Sequence, residues 1–356
     1  MAVLRTKKGL KKIDYISKKY KRIIKVLGVI GIGVGYVVGI FMILFMFKNT
    51  LDMILVPDTP AGVGLVIPGV KVPGTDIRIP LIYGLLGIFV VALIHEFSHG
   101  IVSKANNIKI LNTGIVFLGP IAGAFVEPDE EQLEKSSFIK KQSILAAGPF
   151  SNIILALIVL VLMNFVLTPI IISGMNYDGV VVNSLIENSS AQKINFNTNE
   201  TIQSITLNEK VYEIKNTNDF SDFASKTRPK DEIIISTDKN EYNLVLDVHP
   251  DDQTKGYFGF LGFTNKTSNK FPNILMKILE ILYEQLKWIF ILSLGIGLAN
   301  LYPMYITDGA KMLLYSLNYT IKNQKKSYKI FKIVNNLCLF IILFNLIFPL
   351  LKGFLF

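Results

Sequence analysis

The feature that most restricts what this chain can fold into is the blocking of its apolar residues. Hydrophobic residues make up 51% of the sequence, and they gather into long runs instead of alternating with polar ones. A transmembrane helix needs about 20 mostly apolar residues. Ile23 to Phe47, Pro80 to Ser103, Ile144 to Leu167, Leu286 to Leu301 with its flanks, and Ile330 to Leu351 all meet that length. The expected fold class is a polytopic α-helical membrane protein with about five transmembrane helices. The first run is too long for a cleaved signal peptide, and no small-residue cleavage site ends it.

Charge follows the same division. The net charge is +10, and position argues against a nucleic-acid partner. Lys7, Lys8, Lys11, Lys12, Lys18, Lys19 and Lys21 crowd the stretch before the first span, and further lysines lie in the loops around 104–141 and 311–332. Alternating spans put all of these on one side, and the positive-inside rule makes that side cytoplasmic. The partner this charge implies is the lipid bilayer, with the N-terminus in the cytoplasm; the expected location is a prokaryotic cell membrane. The one cysteine, Cys338, falls inside the last span, so no intramolecular disulfide can form.

Composition divides the chain further. Residues 1–22 form a basic amphipathic tail, and residues 23–47 the first transmembrane helix. An outer segment from Asn49 to Ile79 is broken by Pro57, Pro60, Pro68 and Pro73. Residues 80–168 make a membrane core. Within it, residues 111–126 are apolar but too short to span, and Gly114, Gly119, Pro120 and Gly123 interrupt any helix. Bare backbone cannot face lipid, so this stretch is read as a re-entrant β hairpin turning at Gly119–Pro120. Residues 178–269 are polar and Asn-rich, with short β-type runs at 179, 201, 210, 232 and 242 and helical stretches at 189–193 and 218–225. They form an inserted α+β domain of ordinary domain size. A core helix over 284–310 and a C-terminal transmembrane helix over 329–352 complete the chain.

The chemistry is carried by His95-Glu96-Phe97-Ser98-His99. On a helix, positions i and i+4 share a face, so both imidazoles reach one metal ion, and the glutamate beside them can take a proton from an attacking water. Only three histidines occur in the chain, and two of them are here. Ionisable groups near the end of a membrane span are costly and functional by default. The remaining histidine, His249, belongs to the polar insert and reads as exposed. A catalytic zinc site needs a third protein ligand. Asp308 is the candidate, at the same membrane depth after the fourth span; an ordinary Asp-Gly turn is the other reading. Asn152, in Gly148-Pro149-Phe150-Ser151-Asn152, either hydrogen-bonds a substrate carbonyl or oxyanion or ties two helices together.

These residues resemble the site-2 proteases, a family of intramembrane zinc metalloproteases. The resemblance rests on HEFSH at 95–99, GPFSN at 148–152 and NLYPMYITDG at 300–309, in the family's order, and covers about residues 80–310. It implies zinc (Zn2+) held by His95, His99 and Asp308, with Glu96 as general base. It also implies substrate contacts from Asn152, Asn300 and Pro303, and a PDZ-like identity for the 178–269 insert on the extracytoplasmic side. The expected activity is cleavage of a transmembrane segment in a membrane-protein partner already cut by another protease. Many members carry Gly after the Asp-Gly pair, whereas Ala310-Lys311 follows here. Two other readings stand beside this one. One is an HExxH membrane metalloprotease with Glu127 or Glu130 as third ligand, and the other an inactive membrane PDZ scaffold.

Overall fold

The computed structural model describes residues 2–6, 9–56, 59–64, 66–71 and 78–355. Pro57 and Pro73 of the outer segment lie outside these residues, while Pro60 and Pro68 sit in irregular chain. The described residues divide into two compact units, residues 1–166 with 281–356, and residues 167–280.

The first unit begins with strand β1 (Ala2–Thr6), helix α1 (Leu10–Lys19), α2 (Lys21–Leu55) and α3 (Leu81–Ala105). There follow β2 (Ile110–Leu118), β3 (Ile121–Pro128), α4 (Glu130–Glu134) and α5 (Phe138–Leu162). Helix α5 continues through a π-helical turn at Met163–Leu167 into α6 (Thr168–Ser173), which already belongs to the second unit. After the insert come α9 (Asn273–Leu301), α10 (Asp308–Thr320) and α11 (Gln324–Leu355). Among the described residues, five helical stretches are long and apolar enough to cross a membrane: Lys21–Leu55, Leu81–Ala105, Phe138–Ser173, Asn273–Leu301 and Gln324–Phe348.

Several helices outrun their apolar runs. Helix α2 extends past Phe47 to Leu55, and α9 starts at Asn273, well before Leu286. The added turns carry Lys48, Asp52, Lys277, Glu280 and Glu284. Hydropathy discards such turns, although their backbone hydrogen bonds close as readily in water as in lipid. Helix α10 is a further element that the apolar pattern does not mark.

Packing in this unit depends on small residues. Gly28, Gly31, Gly35 and Gly39 are all buried on one face of α2. A Cβ would meet Ser143 at Gly28, Phe150 at Gly31, Met312 at Gly35 and the Leu301 carbonyl at Gly39, all between 3.0 and 3.2 Å. The stripe brings α5, α9 and α10 close against α2, as small residues do between helices in lipid. Polar ties complete the contacts. Buried Gln142 donates to the Met312 carbonyl and Ser316 Oγ, and Ser293 donates to the Asn152 carbonyl.

The 111–126 stretch forms the β2–β3 hairpin, with Gly119 at φ +59° in its turn. The amphipathic reading of residues 1–22 misses one element. Residues 2–6 are a strand that pairs antiparallel with β2, making a three-stranded sheet in the order β1-β2-β3. Five residues with no turn partner beside them in sequence give no periodic signal of their own.

The second unit holds β4 (Met175–Leu185), α7 (Ser190–Lys193), β5 (Thr201–Leu207), β6 (Lys210–Glu213) and α8 (Thr217–Ala224). It continues with β7 (Glu232–Thr237), β8 (Glu241–Val245), β9 (Asp247–Val248), β10 (Gly256–Tyr257) and β11 (Phe260–Asn269). The main sheet runs β11-β4-β5-β7-β8, with β6 paired to β5. Val180, Val182, Ile202, Ile205, Ile235 and Phe220 lie in its core. Strand β11 pairs with β4 from Phe260↔Leu185 to Asn269↔Met175, so the unit's entry and exit strands are neighbours. That adjacency lets the domain sit within a connection between two membrane helices.

Candidate metal centre

His95, Glu96 and His99 lie on α3, which is apolar on every face and therefore buried among other elements or lipid. Asp308 is the first residue of α10, one position after its N-cap. Thr307 Oγ1 accepts from the Ala310 amide and donates to the Tyr302 carbonyl, which fixes the turn between α9 and α10. Behind that turn, a Cβ on Gly309 would collide with the Leu301 backbone, so glycine is needed for the approach. The result is convergence across 213 residues of sequence.

Asp308 Oδ2 stands 3.1 Å from His95 Nε2 and 3.3 Å from His99 Nε2, and the two imidazole nitrogens are 3.1 Å apart. A tetrahedral ion bound at roughly 2.0–2.1 Å sets its donors about 3.3–3.4 Å apart. The three atoms therefore match the edges of a zinc coordination tetrahedron. Among the described residues this is the one group of three or more His, Cys, Asp or Glu side chains that could hold a metal ion. His95 is 8% exposed, so the group is nearly closed to solvent.

The opposite nitrogens of the two rings are also occupied. His99 Nδ1 donates to the Ile144 carbonyl at 2.7 Å, which fixes the tautomer and leaves Nε2 with a lone pair. His95 Nδ1 faces the Asn152 amide nitrogen at 3.1 Å, while Asn152 Oδ1, fully buried, has no partner among the described residues. The two ends of an amide are assigned from hydrogen bonding. Turning this one over gives the orphan oxygen a donor in His95 Nδ1–H, the tautomer that ligation through Nε2 requires.

Space for an ion comes from Gly148 on α5. A Cβ there would fall onto Nε2 of both His99 and His95. Four observations fit zinc: the donor set, its spacing, the occupied rear nitrogens and the missing side chain. Glu96 lies alongside, its Oε2 accepting from the Val126 amide of β3 at 3.1 Å.

The other sequence candidates are placed as follows. Glu127 receives a hydrogen bond from Asn112, and Glu130 lies on α4; neither joins the His-His-Asp group. Asn300 is half-buried in the last turn of α9, and Pro303 is buried in the turn before α10. No hydrogen bond joins Asn300 to the three ligand candidates among the described residues. His249 is in the second unit, its ring edge-on to Tyr257. Sequence reasoning missed Gly148 as the spacer, although its motif was in view, and missed the contacts from Ile144 and Val126, which are backbone groups and leave no mark in composition.

Two comparisons bear on the chain. A family model described as Peptidase family M50 matches residues 83–345. An uncharacterized protein of Methanocaldococcus jannaschii is 27% identical over 310 residues, covering 86% of this chain and 75% of the relative.

Proposed function

The chain belongs to peptidase family M50, the site-2 protease family, and on that premise we propose that it cuts peptide bonds within the membrane-spanning segments of other membrane proteins. The observation that carries this reading is the His95–His99–Asp308 group, with Glu96 held between it and the edge of β3. His95, His99 and Asp308 would hold zinc. The chemistry a zinc ion supplies there is polarisation of the scissile carbonyl and a water whose pKa is lowered to about 7. The Glu96 carboxylate takes the proton of the attacking water and passes it to the leaving amine nitrogen. Asn152 holds His95 in its ligating tautomer. Asn300 and Pro303 shape the substrate side of the α9–α10 turn.

A peptide bond inside a helix is shielded by its own hydrogen bonds, so the substrate must be received in extended form. In an antiparallel ladder, alternate residues turn their N–H and C=O groups outward. The Val126 amide points out to Glu96, so the edge groups of Ala122 and Ala124 point the same way. The other side of the hairpin is occupied by β1. An unwound substrate strand added along Ala122 and Ala124 would run towards Glu96.

The insert acts as a PDZ-like filter outside the membrane, and the lysine-rich N-terminus is cytoplasmic. A cavity of about 300 Å³ in the insert, bordered by α8 and the stretch into β11, supports peptide binding; Phe220, Phe258, Phe263 and Lys255 line it. The preferred substrate is one already trimmed by another protease.

The test uses purified protein in vesicles with a single-span substrate, with and without a folded ectodomain. Mass spectrometry should place the cut inside the apolar stretch of the trimmed form. A chain lacking residues 178–269 should accept both forms. Cuts confined to the water-exposed flanks would overturn the intramembrane reading, and unchanged selectivity in the truncated chain would overturn the filter.

A further inference from the structure

We propose that the basic cavity where α1, the start of α2 and the end of α3 meet binds the phosphate of an anionic lipid headgroup. The cavity measures about 310 Å³. Four lysines from separate parts of the chain line it: Lys18 on α1, Lys21 at the first turn of α2, Lys104 in the last turn of α3, and Lys109 after it. Among the described lining residues Asp14 is the one acid, and its carboxylate already serves two of these lysines, Lys18 at 2.7 Å and Lys104 at 3.4 Å. Lys21 reaches a neutral partner, Asn107 Oδ1, at 2.9 Å. Among the described residues, neither Lys21 nor Lys109 has a carboxylate partner.

No carboxylate of the nearby helix α4 is among the described lining residues. Helix α4 contributes Gln132 to the wall, and Asp129 is bound to that residue's own amide groups. Glu131 pairs with Lys135, and Glu134 with Lys141. Four lysines thus line one cavity, and Asp14 is the one carboxylate among its described lining residues. The lysines' mutual repulsion is relieved by an anion.

Location selects the kind of anion. The start of α2 and the end of α3 are ends of two membrane-spanning helices, at the level where headgroups lie. Helix α1 buries Ile13 and Ser17 and exposes Lys11 and Lys12. Lysines that merely flank a span attract anionic lipid diffusely. Here they converge on a concave surface whose floor includes Ser17 and Ile108, each 3% exposed. A headgroup seated there would fasten α1 to the helix that carries His95 and His99.

The test is native mass spectrometry of the purified full chain with dihexanoyl phosphatidylglycerol, dihexanoyl phosphatidylcholine and inorganic phosphate. The expected result is one tightly held phosphatidylglycerol, no matching phosphatidylcholine, and no displacement by inorganic phosphate. The Lys21→Gln/Lys109→Gln variant should weaken that binding by about tenfold or more, while Lys11→Gln/Lys12→Gln, an equal change of charge outside the cavity, should leave it intact. Equal losses in the two variants would overturn the site in favour of diffuse attraction. Displacement by inorganic phosphate would overturn the lipid assignment. Unchanged zinc content in both variants verifies that they are folded.

Discussion

At Gly148 the absence of a side chain is what matters. Alanine is the better helix former by roughly 1 kcal/mol, so Gly148→Ala should leave α5 intact. Its methyl group would occupy the space between His95 and His99. The expected outcome is a folded protein with well under a tenth of the normal zinc content by atomic spectroscopy. Full zinc loading in that variant would mean the ion sits elsewhere. Asn152 permits a finer test. Loss of a group that orients a ligating histidine typically lowers metal affinity by about 10–100-fold. Asn152→Leu should show that loss in a competition titration, whereas Asn152→Asp, which keeps an acceptor for His95 Nδ1–H, should largely restore it. If Asn152→Leu bound zinc normally and lost only turnover, the residue would act on substrate instead.

Among the elements, the apolar blocks and the i, i+4 histidine pair were legible because each is a local pattern. The β2–β3 turn was legible from Gly119–Pro120. Strand β1 was not, since its partner lies more than a hundred residues on. Strand β11 was hidden because FLGFTNKTSN is mostly exposed, being an edge strand with little apolar alternation. The ladder gives a test of substrate addition. Ala124 turns its amide outward, so Ala124→Pro removes an edge donor without taking a bond from the β2 pairing. Turnover should fall about tenfold, as for one hydrogen bond made only with substrate, while zinc content stays the same. Unaffected turnover would exclude strand addition at this edge.

For the whole molecule, the two units divide the account. Residues 167–280 form a unit with its own core, and its paired first and last strands explain how it can be inserted. The remainder carries the metal centre, and no spacing rule joins Asp308 to His95 across 213 residues. The membrane depth of Asp308 after the fourth span and the match to NLYPMYITDG point to that ligand; the packing of α10 against α5 and the turn held by Thr307 supply the physical reason. The central claim is that this constellation is a zinc site in which Glu96 performs proton transfer. The most direct measurement pairs zinc content with cleavage of a transmembrane substrate for the unaltered chain, Glu96→Gln and Asp308→Ala. The account predicts about one zinc per chain with activity, retained zinc without activity in Glu96→Gln, and loss of both in Asp308→Ala. A zinc-free active protein, or a Glu96→Gln variant that cleaves at the normal rate, would contradict it.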